Sequence, residues 1–168
     1  IRKDWLDAVG YTDYTEGDTM TIDQLKEILT LFTYNDPDGN GIDDTYGFGT
    51  YADADGNIDV FFSQAFGLGG WGEYDGEIID LRRSRDHDNY KRALQFSQEL
   101  WAEGLVDPDA PTIQGDVALD RLKKGVTGVY AEFAGWMTMY EDEMKELNPD
   151  VERIYVPAIV ENEGDVYS

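Results

Sequence analysis

Apolar residues recur along this chain at the two spacings that distinguish helices from strands. The clearest helical run has apolar residues at i, i+3, i+4 and i+7, namely Leu25, Ile28, Leu29 and Phe32. Thr21 and Gln24, three residues apart just before this run, form the pattern of a capping box. The spacing therefore predicts a helix with one buried face from Thr21 to about Tyr34.

The same reasoning predicts the remaining elements. Helical spacing recurs over residues 1–10, 57–67, 88–104, 116–124 and 135–147. Short apolar runs between turn residues predict strands over residues 46–50, 126–131 and 151–156. Asp75-Gly76 separates two further short runs, which predicts a β-hairpin over residues 71–81. Helices alternate with strands, and this order is typical of an α/β layered domain.

Composition indicates a folded domain with an extreme charge. The 168 residues include 13 Lys and Arg against 36 Asp and Glu, a formal charge of −23 at pH 7. A surface this acidic repels phosphate, which excludes a nucleic-acid binder. The 4 Trp, 11 Tyr and 7 Phe are more aromatic residues than disordered acidic chains carry. We therefore expect a folded chain whose acidity is partly offset by a bound cation.

The sharpest local motif lies between the first long helix and the strand at residue 46. Oxygen-bearing residues alternate there and a glycine follows at position 41, the pattern of a loop that wraps a hard cation. The predicted calcium ligands are the side chains of Asp36, Asp38, Asn40 and Asp44 and the carbonyl oxygen of Ile42. Gly47 stands where an EF-hand has its bidentate Glu, so the prediction is a structural Ca²⁺ and not a paired sensor. A solvated turn rich in Asp, Asn and Gly is the alternative.

Motifs of catalysis are missing from the sequence. There is no cysteine, and His87 is the single histidine. No nucleophile elbow, phosphate-binding loop or dinucleotide fingerprint occurs. The 36 carboxylates leave a glycosidase-like acid pair possible by count, but nothing singles out one pair. We predict that the protein is not an enzyme.

Aromatic residues mark the candidate ligand-binding positions. The segment from Phe133 to Trp136 lies where a predicted strand passes into a helix, which is where α/β domains place ligand sites. The Trp136 indole can stack on a sugar face, and Glu132 beside it can accept hydroxyl hydrogens. Packing of Trp136 in the core is an equal alternative. Trp71 on the predicted hairpin is a further candidate with the same ambiguity.

Several short motifs follow one another along nearly the whole chain. They are Ile1-Arg-Lys-Asp-Trp-Leu, Thr21-Ile-Asp-Gln-Leu, Asp36-Pro-Asp-Gly-Asn-Gly-Ile-Asp-Asp44, Tyr90-Lys-Arg-Ala-Leu94, the segment from Leu100 to Pro108, and Lys124-Gly-Val-Thr-Gly-Val129. In this order and at these distances they resemble the extracellular solute-binding proteins, family 1, of ABC importers. The resemblance is strongest to the carbohydrate-type lipoproteins of Gram-positive bacteria. Thr45 departs from the family pattern, in which Glu often follows the last Asp of the loop.

The resemblance implies a fold of the periplasmic-binding-protein type II class. Such a lobe is three-layer-like, with a central mixed sheet flanked by helices and here a hairpin at 71–81. It implies that residues 1–168 form a single domain, the second of two lobes, with the N-terminal lobe absent from this sequence. Trp136 then corresponds to the family's ligand-stacking tryptophan.

The resemblance also implies a function. The protein would capture an extracellular oligosaccharide and deliver it to an ABC-transporter permease without catalysis. Its partners would be the ligand, the permease and the missing lobe. A lipid anchor outside these residues would hold it on the surface of a Gram-positive cell, or it would be periplasmic. Two alternatives stay open: a fragment of a polysaccharide-acting hydrolase and a calcium-dependent cell-surface interaction module.

Overall fold

The chain is an α/β protein whose secondary structure is seen in a computed structural model. The model describes residues 1–52, 61–69, 71–80, 88–131 and 138–165. Its α-helices are α1 (Lys3–Ala8), α2 (Ile22–Tyr34), α3 (Asp88–Ala102), α4 (Gly115–Lys123) and α5 (Glu141–Leu147). Its strands are β1 (Met20–Thr21), β2 (Tyr46–Gly49), β3 (Trp71–Tyr74), β4 (Glu77–Asp80), β5 (Thr127–Tyr130) and β6 (Ile159–Val160). No helix in these ranges is both long and apolar enough to cross a bilayer.

Strand β2 lies in the middle of the central sheet. It pairs in parallel with β5, so that Phe48 stands opposite Val129. At its other edge Phe48 forms a parallel bridge with Val106. The Phe48 N–H donates to the carbonyl of Leu105 at 2.9 Å, and the Asp107 N–H donates to the carbonyl of Phe48 at 3.0 Å. The segment around residue 106 thus extends the sheet beyond β2.

The sheet continues on the far side of β5 through two short segments. The Arg2 N–H donates to the carbonyl of Gly128 at 2.9 Å. Arg2 in turn forms an antiparallel bridge with Arg153. Parallel and antiparallel neighbours together make the mixed central sheet that the resemblance implied. The predicted strand over 151–156 contributes only the bridge at Arg153 within the described residues, and β6, which pairs in parallel with β1, was not predicted.

Helix α2 packs on this sheet and starts where the sequence predicts. The Gln24 N–H donates to Thr21 Oγ1 at 3.2 Å, and the Thr21 N–H donates to Gln24 Oε1 at 2.9 Å. These two bonds form the predicted capping box. The apolar face of the helix has no solvent exposure at Leu25, Ile28, Leu29 and Phe32.

Two glycines of the sheet allow α2 to approach closely. A Cβ atom at Gly47 would lie 2.5 Å from the backbone oxygen of Leu29. A Cβ atom at Gly128 would collide with the Phe32 ring and lie 2.7 Å from a ring carbon of Trp5. Trp5 and Phe32 themselves meet edge to face, with ring centroids 5.3 Å apart. Only a residue without a side chain fits at these two positions.

The predicted helix over residues 57–67 is wrong in the part that the structure describes. Phe62 has a φ of 53°, in the left-handed region, which interrupts any helix at that point. A 3₁₀ turn follows at Ser63–Phe66. Helix α3 is confirmed, but Leu94, which lies four residues after the buried Tyr90 and is therefore expected on the same inward face, is 39% exposed.

The predicted hairpin is confirmed. Strands β3 and β4 pair antiparallel, with Trp71 opposite Asp80. Asp75 and Gly76 have φ values of 52° and 80°. Positive φ at both central residues is what a type I′ hairpin turn requires.

Candidate functional site

The loop between α2 and β2 brings the predicted calcium ligands together around Asp36. The Asn40 N–H donates to Asp36 Oδ1 at 3.1 Å. The Gly41 N–H donates to Asp36 Oδ2 at 3.0 Å. The loop therefore folds back around the Asp36 carboxylate, which accepts hydrogen bonds from two of its backbone N–H groups.

Asn40 connects the other carboxylates of this loop. Its side-chain amide donates to Asp38 Oδ2 at 2.9 Å and to Asp44 Oδ1 at 3.2 Å. Its side-chain oxygen accepts the Ile42 N–H at 2.7 Å. The Ile42 carbonyl accepts the Asp44 N–H at 3.1 Å. All five predicted ligand residues thus contact one another through Asn40 and Asp36.

Burial and the neighbouring carboxylates both raise the pKa of Asp38. Partial burial raises the pKa of the Asp38 carboxyl, and the hydrogen bond and charge of Asp36 and the charge of Asp44 raise it further, while the Asn40 amide lowers it. A divalent cation would relieve that repulsion, because hard oxygen donors are the ligands that Ca²⁺ takes. The donor set therefore fits such a cation. Within the described ranges no group of three or more acidic or imidazole side chains stands in chelating positions.

Thr45 attaches the loop to the end of helix α2. Its hydroxyl donates to the carbonyl of Phe32 at 2.8 Å, and its side chain is buried, with 3% exposure. The Gly47 N–H donates to Thr33 Oγ1 at 3.0 Å. The side chain of residue 45 therefore faces the end of α2 and not the carboxylates of the loop.

A second feature is a groove of about 800 Å³ at the carboxyl end of β5. Its walls come from the central sheet, the 3₁₀ turn and the segment before β6. The residues that line it include Arg2, Phe62, Gln64, Tyr130, Ala131 and Arg153. A volume of this order is typical of small-ligand sites.

Two arginines and two glutamates line the groove, namely Arg2, Arg153, Glu16 and Glu141. Burial lowers the pKa of Arg153, and the nearby Arg2 charge lowers it too, while Glu141 opposes the shift. The hydrogen bond and charge of Lys145, together with Arg153, hold the pKa of Glu141 below its usual value. The Arg2 guanidinium is buried and already donates to both carboxylate oxygens of Asp4, so the groove is lined mainly by the rings of Phe62 and Tyr130 and by polar groups at its rim.

Of the predicted ligand residues, three lie outside the described part of the chain and one lies away from this groove. Glu132, Phe133 and Trp136 lie outside the described residues, and Ala131, which lines the groove, directly precedes them. Trp71 lies on the hairpin with 73% exposure and is not among the residues that line the groove. Sequence reasoning missed Gln64 and Arg153, because neither residue belongs to a motif.

Comparison with known proteins identifies relatives of this chain, although no family model matches it. Lipoprotein LipO of Bacillus subtilis (strain 168) is 31% identical over 156 residues, which are 87% of this chain and 28% of LipO. The fructooligosaccharide ABC transporter substrate-binding protein FusA of Streptococcus pneumoniae is 34% identical over 116 residues, 66% of this chain and 20% of FusA. The chain spans less than a third of the length of these relatives.

Solved structures agree with the sequence matches. FusA in complex with kestose superposes with a TM-score of 0.60 at 29% identity, covering 76% of this chain and 26% of that one. A FusA EF-hand mutant in complex with fructo-nystose superposes with a TM-score of 0.59 at 28% identity, with the same coverage. The fold is thus shared with part of a solute-binding protein. The chain is therefore related to the solute-binding proteins of ABC transporters, as its motifs predicted.

Proposed function

We propose that this chain is the second lobe of an extracellular solute-binding protein that captures an oligosaccharide for import. It forms a single domain over residues 1–168, and another lobe completes the ligand cleft. It delivers its ligand to an ABC-transporter permease and performs no catalysis. The binding of kestose and fructo-nystose by FusA supports this proposal.

The observation that carries the proposal is the groove at the end of β5. Ligands of α/β folds bind at the carboxyl ends of strands. In the proposed complex Trp136 stacks on the sugar, Phe133 adds apolar contact and Glu132 accepts hydroxyl hydrogens. Trp71 contributes a further stacking surface from the hairpin.

A calcium ion in the loop between α2 and β2 completes the proposal. Its ligands would be Asp36, Asp38, Asn40, Asp44 and the carbonyl oxygen of Ile42. The ion would neutralise the crowded carboxylates and so fix the loop between the helix and the sheet. The solved structure of a FusA EF-hand mutant supports a cation loop in such proteins.

The relatives also support a place on the cell surface. LipO is named a lipoprotein, and FusA is named an ABC transporter substrate-binding protein. We place this protein outside the cell, held to the membrane only by a lipid anchor that lies outside these residues. A Gram-positive bacterium is the proposed source, and a periplasmic location is the alternative.

Calorimetric titration of the full-length protein with a panel of oligosaccharides tests this function. Kestose represents neutral ligands, and a galacturonan oligomer represents acidic ones. We expect a member of the panel to bind, and Trp136→Ala to weaken that binding by roughly 1–3 kcal/mol, the cost of removing an aromatic contact. The 168-residue chain alone should bind very weakly, because one wall of a cleft buries little ligand surface.

The controls separate the alternatives. Trp71→Ala should leave the melting temperature unchanged, because the side chain is 73% exposed, and should weaken binding only if the ring contacts the ligand. An earlier melt for Trp136→Ala would instead assign that residue to the core. Release of reducing sugar from polysaccharide would favour a hydrolase. Binding to protein partners with no glycan binding would favour an interaction module.

A further inference from the structure

The peptide bond between Asn40 and Gly41 lies on the protein surface, where its nitrogen is open to reaction with the Asn40 side chain. Both residues are exposed in the loop between α2 and β2. Gly41 has no side chain to shield its nitrogen, and a Cβ atom there would meet no heavy atom within 4 Å. Asparagine is among the chemically labile residues of proteins. An unshielded nitrogen directly after it is the nucleophile that such a side chain needs.

Two hydrogen bonds prepare this pair for reaction. The Ile42 N–H donates to Asn40 Oδ1 at 2.7 Å. This donor polarises the side-chain carbonyl and would stabilise negative charge that develops on its oxygen. The Gly41 N–H donates to Asp36 Oδ2 at 3.0 Å, which draws electron density onto the Gly41 nitrogen. The side-chain carbonyl of Asn40 and the nitrogen of Gly41 therefore each carry a polarising hydrogen bond, while the side-chain nitrogen of Asn40 is held by Asp38 and Asp44.

We propose that Asn40 is a site of spontaneous covalent modification. The Gly41 nitrogen attacks Asn40 Cγ, an N–Cγ bond forms, and the Cγ–Nδ2 bond breaks. The Gly41 amide proton leaves with the amino group, so that ammonia and a succinimide are the products. Water then hydrolyses either carbonyl of the ring, which gives aspartate or isoaspartate at position 40.

A cation in the loop should prevent this reaction. A metal held by Asn40 and Asp36 would engage the Asn40 side-chain oxygen, which now accepts from Ile42, and would restrict the side-chain motion that ring closure needs. Isoaspartate, once formed, adds a methylene to the backbone and destroys the alternating ligand spacing. The protection rests on the proposed cation site, whereas the modification itself does not.

The experiment is an ageing series of the purified chain at pH 8 in chelator and in excess Ca²⁺. Peptide mapping and enzymatic isoaspartate methylation follow each asparagine separately. In chelator we expect position 40 to convert several times faster than Asn162, which also lies in an exposed turn. Asn148 serves as the inert reference, because the following Pro149 has no N–H. Asn40→Gln should remove the signal.

The outcomes are distinguishable. Conversion at position 40 no faster than at Asn162 would overturn the modification site. Conversion in chelator that Ca²⁺ does not slow would support the modification site and count against the proposed cation loop. Conversion that Ca²⁺ suppresses would support both.

Discussion

Arg121 on α4 forms a bidentate salt bridge with the carboxylate of Asp107. Its Nε donates to Asp107 Oδ2, and its Nη2 donates to Oδ1 at 3.0 Å. Asp107 is 1% exposed and directly follows Val106, which bridges β2 in the central sheet. The Arg121 guanidinium also lies 3.2 Å from Asp109. A bidentate, charge-assisted contact therefore fastens α4 to the edge of the sheet.

Breaking this pair should destabilise the protein strongly. Arg121→Met leaves the buried Asp107 carboxylate without its cation, which should lower the free energy of unfolding by about 3 kcal/mol. Urea unfolding followed by circular dichroism measures the change. Lys124→Met is the matched control, because Lys124 pairs with Asp120 on the exposed side of the same helix segment. Equal losses in the two variants would contradict the structural role of the buried pair.

Gly128 should not tolerate even one methyl group. The Cβ of Gly128→Ala would overlap Phe32 and Trp5, both buried, so the helix or the sheet must shift. We expect a loss of roughly 1–3 kcal/mol, the usual cost of overpacking a core. Gly115→Ala is the control, because its Cβ would approach only the ring of Tyr51, at 3.0 Å, and that 36% exposed side chain can move aside. Thermal melts that do not separate the two variants would argue against close packing of α2 on β5.

Ca²⁺ should raise the unfolding temperature, because a ligand that binds only the folded state stabilises it. Chelator should reverse the effect, and Asp38→Ala should abolish it by removing a charged ligand. Asp43→Ala is the matched control, since Asp43 is in the same loop but is not a predicted ligand. Differential scanning calorimetry with and without Ca²⁺ measures the shift. A melt that ignores both Ca²⁺ and chelator would make the loop an ordinary turn.

Tyr11 should make the protein sensitive to alkali. Burial, together with a hydrogen bond to Glu27, raises the pKa of Tyr11 to about 12 from its ordinary value of 10. Between these two values the folded state holds a proton that the unfolded state releases, so stability falls as pH rises through this window. Unfolding midpoints of the wild type and Tyr11→Phe across this range measure the contribution. Tyr155→Phe, at a side chain 48% exposed, should leave the dependence unchanged.

Local signals predicted the elements that depend on neighbouring residues. The Thr21 capping box and the apolar spacing that follows it determine α2, because both act within a few turns of helix. Asp75-Gly76 determines the hairpin for the same reason, since its two positive φ angles are a property of the turn itself. The alternation of oxygen-bearing residues likewise identified the loop around Asn40.

Features that depend on distant segments could not be predicted. Val106 joins the sheet through an isolated bridge, which leaves no run of alternating residues to recognise. The predicted strand over 151–156 shortens to the single bridge at Arg153 because its pairing depends on Arg2, at the other end of the chain. Phe62 takes a left-handed conformation where helical spacing favoured a helix, and its ring packs 4.9 Å from the ring of Phe48, a contact between segments that local spacing does not reveal. Gln64 and Arg153 become groove residues only after these segments meet.

The order of the central sheet has a consequence for how the chain folds. Arg2 pairs with Arg153, and β2 pairs with β5. The central sheet is therefore complete only after segments far apart in the sequence have come into contact. Bringing such segments together costs conformational entropy before the contacts between them form. Folds rich in long-range pairings therefore form in milliseconds to seconds. Helix α2 and the hairpin, which need only neighbouring residues, should form first. The central sheet then sets the rate at which the whole chain reaches its native state.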